Sequence, residues 1–565
     1  MTTKKVTGSQ ALILSLLEEG VDTIFGYPGG AIMPVYDALY DYDKEVKHIL
    51  TRHEQGAIHG AQGYARVTGK AGICFATSGP GATNLMTGIA DAMIDSTPLV
   101  CITGQVASPL LGTDAFQESD IVGMSIPVTK WNYQVTTPEE IPEAIAQAFY
   151  IANSGRPGPV LIDLTKDAQF GELDFEYKKC TKIRSYVPET HVDPHQVKAA
   201  ADLIDAAKKP LILFGHGIII SRAEAELKAF IEKTGIPAAW TLLGLSALQT
   251  EHPLNVGMLG MHGNYGPNLL TNEADLIIAV GMRFDDRVTG NVSKYATKAK
   301  VIHIEIDPAE IDKIIKTDVA VIGDAKKALK MLTANVAENK HDEWLQEFKK
   351  CDAIENEKVW KKDLFPTKPG LTMGEVIRIT SEKTNHDAIL VTDVGQHQMI
   401  AQRYFKFKNS RSNVTSGGLG TMGFCLPACM GAQLGAPDRT VVAVIGDGGF
   451  QMTIQELGTI AQNNLPVKII VLNNNYLGMV RQWQQMFFDR RYSFTELHNP
   501  DFIMIGKGFG IEGHKVSDRE NLDASIQKMI DHDGPYLLEV TIEQEDNVFP
   551  MVPTGASVSE VILEP

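Results

Sequence analysis

Asp447 closes the apolar run "VVAVIG" and Asn474 closes "VKIIVLN", which places an acid and an amide at matching ends of two strand-like segments. A carboxylate and an amide carbonyl form a hard-oxygen donor set, suited to Mg²⁺ bridging to a diphosphate and unsuited to zinc. Gly446, Gly448 and Gly449 surround the acid. Lacking a Cβ, they let backbone amides reach phosphate oxygens at the start of a following helix. Each half taken singly reads more simply as a turn with an N-cap Asp or as a polar loop; together they favour a metal-diphosphate site. Arg283 and Arg287 in "GMRFDDRVTGN" form a second set able to pair with a diphosphate, against the salt bridges that Asp285 and Asp286 invite. In the same part of the chain "FGHG" offers two glycines after a strand, and "KVIHIEID" ends on Asp307.

These residues need strands to carry them. In an open parallel sheet the carboxyl ends of the strands face the ligand crevice, so Asp447 and Asn474 would share one ligand. Their separation of 27 residues suits one helical crossover between neighbouring parallel strands. Strand and helix signals alternate along the whole chain in three blocks, the signature of an α/β protein with three domains, each a parallel sheet flanked by helices. The expected domains are 1–178, 190–340 and 365–565, separated by "YKKCTKIRSYVPETHVDPHQ" and by the charged helical stretch "NKHDEWLQEFKKCDAIENEKVWKKDLFP". No internal sequence repeat or low-complexity tract is visible.

The bulk properties exclude some functions. A chain of 565 residues with 44% hydrophobic and 21% charged residues is ordinary globular composition. A formal net charge of -17 disfavours a general binder of nucleic acid or anionic membrane. Six cysteines in so long a chain make no disulfide framework, and no leader or membrane-length apolar run is evident, so a cytoplasmic protein is expected. Cys425 and Cys429 in "CLPAC" lack a second Cys/His pair and are expected to be small core residues. Gly418, Gly420 and Gly423 satisfy G-x-G-x-x-G, but no apolar strand is seen before them and no acid follows at the required distance, so a dinucleotide fingerprint is rejected there.

The pairing "GDGGF…NN" resembles the thiamine diphosphate (ThDP) fingerprint. The resemblance extends over essentially the whole chain to the catalytic large subunits of the acetohydroxyacid synthase (acetolactate synthase) family. It is carried by "FGYPGGAIMPVYDAL", "RHEQGAIHGAQGYAR", "TSGPGATN", "GTDAFQE", "GRPGPVLIDLTKD", "GMRFDDRVTGN", "VGQHQM", "GGLGTMGFCLPA" and "GMVRQWQ". It implies three domains: an N-terminal one for the ThDP pyrimidine, a central one for FAD, and a C-terminal one for the diphosphate and Mg²⁺. The metal ligands implied are Asp447, Asn474 and the backbone carbonyl of Tyr476. Glu54 matches the carboxyl group that hydrogen-bonds the aminopyrimidine N1′ and drives it to the imino tautomer; an apolar pocket would suit that task. By residue type alone, a Glu beside Arg52 and His53 reads as a surface charge. Met422 matches the bulky side chain under the bent cofactor, although its spacing alone reads as core. Gly418 is expected along ThDP, with Gln396 and His397 near the diphosphate. Arg156, His262, Arg283, Gly323 and Asp324 fall on the family's FAD contacts, where the flavin takes no net part in the reaction, and Arg287 and Asp307 are expected beside them.

The implied activity is a ThDP-, Mg²⁺- and FAD-dependent carboligase. It decarboxylates pyruvate and joins the hydroxyethyl unit to a second pyruvate, giving 2-acetolactate, or to 2-oxobutyrate, giving 2-aceto-2-hydroxybutyrate, at the first common step of branched-chain amino acid synthesis. Gln117, Lys166, Met479, Val480 and Trp483 are the expected substrate residues. Trp483, nine residues after Asn474, belongs on the next helix; its plainer reading is core packing among Met479, Val480 and Met486. The resemblance also implies a homodimer or homotetramer and a separate small regulatory subunit. An FAD-using pyruvate oxidase or a pyruvate decarboxylase on the same scaffold is the nearest alternative, and a noncatalytic ThDP/FAD-binding sensor or subunit one from another class. Many members carry Pro after "GQV" where this chain has Ala107, so the family's sulfonylurea-type inhibitor binding is not carried over.

Overall fold

A computed structural model of the chain describes residues 4–188 and 191–565. Residues 1–3 and 190, the outer ends of the first two expected domains, lie outside the described residues. Three six-stranded parallel sheets organise the rest. The first comprises β1 (Thr23–Gly26), β2 (Lys47–Leu50), β3 (Gly72–Ala76), β4 (Leu99–Gln105), β5 (Trp131–Val135) and β6 (Pro159–Thr165) in the spatial order β2-β1-β3-β4-β6-β5. The second comprises β7 (Pro210–Phe214), β8 (Ala238–Trp240), β9 (Asn255–Met258), β10 (Leu276–Val280), β11 (Lys300–Glu305) and β12 (Val319–Ile322), ordered β9-β8-β7-β10-β11-β12. The third comprises β13 (Ile389–Thr392), β14 (Asn413–Thr415), β15 (Val441–Gly446), β16 (Lys468–Asn473), β17 (Glu512–Val516) and β18 (Tyr536–Thr541), ordered β14-β13-β15-β16-β18-β17.

The first and third sheets therefore share one topology, which their sequences do not betray. The second has the doubly wound order of dinucleotide-binding domains, with its switch point between β7 and β10. Central strands such as "VVAVIG" and "KIIVLN" are buried along their whole length, as expected when helices cover both faces of a parallel sheet. One apolar cluster runs continuously from Ile212, Phe214 and Ile278 of the second sheet to Leu390, Val444 and Leu538 of the third.

Five helices carry or brace the expected site residues: α1 (Glu54–Thr68), α2 (Gln396–Tyr404), α3 (Cys425–Gly435), α4 (Asp447–Met452) and α5 (Gly478–Phe487). Helices α1 and α3 cross backbone to backbone. A Cβ at Gly63 would fall 2.0 Å from the Ala428 carbonyl oxygen, and one at Gly431 would fall 1.8 Å from that of Gly60. Any larger residue at either position would push the first and third domains apart. Cys425 and Cys429 sit fully buried on α3, and Cys425 Sγ donates to the Val391 carbonyl at 3.1 Å. The "GGLGTMG" loop does have a strand before it, though "NVT" is not the apolar strand that a dinucleotide fingerprint requires. That strand, β14, is only three residues long, too short for a hydropathy signal. Among the described residues no helix is long and apolar enough to cross a membrane.

Candidate active site

Strands β15 and β16 are hydrogen-bonded neighbours with Gly446 opposite Leu472, so Asp447 and Asn474 emerge at the same sheet edge. Both side chains are buried and both line a cavity of about 80 Å³ with Gly446, Gly448, Gly449 and Tyr476. Burial raises the Asp447 carboxyl to about 6. Its Oδ1 accepts from Gly448 N at 3.0 Å, and its Oδ2 from Asn499 Nδ2 at 2.7 Å. The same Asn499 amide donates to Asn473 Oδ1 at 3.0 Å and Asn475 Oδ1 at 3.2 Å, tying the acid to the loop after β16. Asn474 Oδ1 accepts from Tyr476 N at 3.0 Å, which turns the chain back at the point where Tyr476 would present its carbonyl. Asn499, in the irregular "HNPD", carried no periodic or motif signal.

The three glycines have a second reason to be glycine. A Cβ at Gly446 would meet the His397 ring at 2.8 Å, one at Gly448 would meet Leu477 at 2.8 Å, and one at Gly449 would meet the Asp393 carboxyl at 2.7 Å. Close packing behind the loop thus fixes it beside the cavity. His397, in the first turn of α2, lines the same cavity with its Nε2 buried and unpartnered, and burial lowers its pKa to about 3. A neutral, unsatisfied ring nitrogen beside a hard-oxygen pair fits a phosphate oxygen. Gln396 lines this cavity as well and donates from Nε2 to Gln482 Oε1 at 2.8 Å.

A far larger cavity of about 1180 Å³ opens at the switch point of the second sheet. Gly217 after β7 and Gly281, Met282 and Arg283 after β10 line it. So do Arg156, His262, Arg287, Glu305 and Asp324. Glu305 ends β11, accepts from the amides of Ile306 and Asp307, and is raised to about 7 by burial. Asp324 caps the helix Ala325–Asn335 by accepting from Lys327 N. Asp307 does not line the cavity; it flanks it, 3.5 Å from Arg156 Nη1, which also donates to Glu310 at 2.9 Å. In "EID" no sequence signal separates Glu305, the last strand residue, from Asp307, which lies beyond the strand. A cavity of this size lined by three arginines, the buried Glu305 at the end of β11 and the half-buried Asp324 after β12 fits a dinucleotide. Gly395, Met422, Met479 and Val480 line both cavities, so Met422 stands at their junction. Gly418 lines the larger one, and a Cβ on it would meet Arg283 at 2.8 Å.

Trp483 lines the large cavity and also packs on the small apolar cluster of Val359, Phe549 and Met551. Both readings of this residue therefore have a structural basis. Glu54 opens α1 and is 9% exposed rather than a surface charge. Its Oε2 accepts from Asn84 Nδ2 at 2.9 Å. From the third domain, Glu456 accepts from Arg52 N at 3.0 Å and so holds the turn that leads into Glu54. Gln117, with a φ of 59°, and Lys166, at the start of the helix Lys166–Phe170, are exposed. Glu54, Gln117 and Lys166 line neither cavity, so the structure does not bring them together with Asp447 and Asn474 there.

Three family models match the chain. They are the N-terminal TPP binding domain of thiamine pyrophosphate enzymes over residues 6–124, the central domain over 197–332 and the C-terminal TPP binding domain over 393–540. Curated relatives align along the full length. The chain is 47% identical over 560 residues to the acetolactate synthase isozyme 2 large subunit of Escherichia coli (strain K12), covering 99% of each. It is 47% identical to the acetolactate synthase large subunit of Corynebacterium glutamicum, covering 99% of this chain and 90% of the relative. It is 45% identical to a probable acetolactate synthase large subunit of Methanocaldococcus jannaschii, covering 98% and 95%.

Proposed function

The chain belongs to the acetolactate synthase large-subunit family of thiamine pyrophosphate enzymes, and from that premise we propose a catalytic subunit that makes 2-acetolactate from two pyruvates and 2-aceto-2-hydroxybutyrate from pyruvate and 2-oxobutyrate. The observation that carries this reading is the pairing of Asp447 and Asn474 at one sheet edge, beside the unpartnered Nε2 of His397. When bound, ThDP would supply a carbon nucleophile and an electron sink for the loss of CO₂, and Mg²⁺ would neutralise diphosphate charge.

The residues divide the work. Asp447 Oδ, Asn474 Oδ1 and the Tyr476 carbonyl hold Mg²⁺ as an all-oxygen set. His397 Nε2, Gln396 and the amides beside Gly448 and Gly449 face the phosphates, whereas Gly418, expected along ThDP, lines the larger cavity beside Arg283. Met422 bears on the cofactor from the cavity junction. Glu54 exchanges a proton with the pyrimidine N1′, held in place by Asn84 and by the Glu456 contact beneath it. Gln117 and Lys166 face the substrate, and Met479, Val480 and Trp483 wall the acceptor. One pyruvate loses CO₂, a bond forms between its remaining two-carbon unit and the acceptor's carbonyl carbon, and the new alkoxide takes a proton.

The large cavity takes FAD. Arg156, Arg283 and Arg287 face its diphosphate, Glu305 and Asp324 its hydroxyl groups, and His262 its wall, with Asp307 acting through Arg156. The three domains are 1–178, 190–340 and 365–565, and a separate small regulatory subunit confers sensitivity to valine. The enzyme works in the cytoplasm. As the family resemblance implies, the active site is completed between the first domain of one copy and the third domain of another, in a homodimer or a homotetramer of two such pairs.

Subunit complementation tests this arrangement. Glu54→Gln and Asp447→Ala chains, each inactive, are refolded together. Shared sites leave one intact centre in each mixed dimer, and activity returns. Persistent inactivity of a mixed dimer would place both residues in the same site of one chain.

A further inference from the structure

The loop Ser416–Met422 carries the side chain at the junction of the two cavities, yet it is built to be loose. Glycines occupy positions 417, 418 and 420 and follow directly at 423, and Gly420 and Gly423 have φ values of +69° and +85°. Such a stretch loses much conformational freedom on ordering and needs an external tie. The tie comes from the first domain. Asp91 lies on the helix Met86–Ile94 and Asp95 caps its C-terminal end, one turn further on. They are 0% and 2% exposed, a costly placement for two acids unless donors meet them.

Nearly all the donors come from the loop. Asp95 Oδ2 accepts from Gly417 N at 2.8 Å and Oδ1 from Gly418 N at 2.7 Å. Asp91 Oδ1 accepts from Ser416 Oγ and, at 2.9 Å, from Thr421 Oγ1, while Thr421 N donates to Ser416 Oγ at 2.8 Å. Arg66 Nη2 neutralises Asp95 at 2.7 Å. The backbone carbonyl of Asp95 lies 3.0 Å from Nδ1 of His216, which lines the large cavity from the second domain. All three domains thus meet at one acid pair, and Met422 stands between Thr421, held by that pair, and Gly423, whose amide donates to Asp393 Oδ1 at 2.9 Å.

We propose that Asp91 and Asp95 are a positioning clamp that fixes the Ser416–Met422 loop and thereby sets where Met422 stands between the two cavities. The inference rests on the reading of Met422 as the side chain that bears on the bound cofactor. A structural filler at the same place would hold the domains together without governing this loop in particular.

Two variants test it from opposite sides: Asp91→Ala removes the acceptor, and Thr421→Val removes one donor at nearly constant shape. Amide hydrogen exchange is followed in the unloaded chain, and kcat and KM for pyruvate are measured on the enzyme reconstituted with ThDP, Mg²⁺ and FAD. Loss of a hydrogen bond to a charged group should speed exchange at 417–421 about 10-fold while the sheets, and Gly423 on Asp393, keep their protection. The reconstituted variant should lose kcat by about 10-fold with KM changed by less than about 3-fold, as for a group that acts after binding. Loop exchange at the wild-type rate in a folded variant overturns the clamp, as does acceleration spread evenly over the chain. Should Asp91→Ala fail to fold, Thr421→Val decides by the same criteria. Fast loop exchange with unchanged kcat upholds the clamp and overturns the reading of Met422.

Discussion

Asn499 Nδ2 donates to Asp447 Oδ2 at 2.7 Å from a loop 52 residues further along the chain. The contact orients the carboxylate while the same amide reaches the asparagines that follow β16. Partners that orient a metal ligand commonly change metal affinity by about 10- to 100-fold when removed. Asn499→Ala should therefore raise the Mg²⁺ concentration for half-maximal activity by about 10-fold or more, with kcat largely restored at saturating Mg²⁺. A Mg²⁺ titration that superimposes on wild type would show that Asn499 does not serve the ligand set.

Glu54→Gln should keep ThDP and lose about 10²- to 10⁴-fold in kcat, because an amide cannot exchange the proton that N1′ needs. Cofactor binding is read by calorimetry and turnover by acetolactate formation. Near-normal turnover would remove Glu54 from its role.

The fold was legible in the sequence to an uneven degree. Long apolar runs such as "VVAVIG" gave the central strands, and the acid and amide at their ends gave the metal edge. The three-residue β14 and the shared order of the first and third sheets were not legible, since neither short strands nor topology leave a periodic trace. Asn499 and the Asp91–Asp95 pair were missed for a related reason: their partners lie in other parts of the chain, and contacts of that range are set by packing. Glu54 illustrates the opposite case, a charged residue that reads as surface until the turn at Gly81 and Asn84 packs against its carboxyl group.

Glu456 gives a pH test of the contact under Glu54. Burial raises its carboxyl from an ordinary 4.5 to about 7, the hydrogen bonds from Thr459 and Arg52 opposing the change. With the folded-state value raised, the unfolded chain releases this proton first. The folded state accordingly loses stability as pH rises from about 4.5 to about 7, an effect on the order of 3 kcal/mol for a shift of this size. Glu456→Gln should gain stability relative to wild type across that window and show a constant difference above it. Thermal unfolding at pH 5 and pH 8 measures this, and a difference independent of pH would contradict the assignment.

Trp483 tests the acceptor wall. Two acceptors that differ by one methylene can be separated by an apolar surface by about 10- to 200-fold. Trp483→Leu should keep acetolactate formation and flatten the product ratio when pyruvate and 2-oxobutyrate compete. Because the indole also packs on Phe549 and Met551, with its ring centroid 5.0 Å from that of Phe487, some loss of thermal stability should accompany the change. An unaltered ratio in a destabilised protein would leave Trp483 as a core residue.

The most direct test of the carboligase assignment is the product balance of the purified chain supplied with pyruvate, ThDP, Mg²⁺ and FAD. The expected result is one CO₂ and one 2-acetolactate for every two pyruvates consumed, with formation abolished when ThDP or Mg²⁺ is withheld. Free acetaldehyde, or oxygen uptake with acetate formation, in place of acetolactate would contradict that assignment.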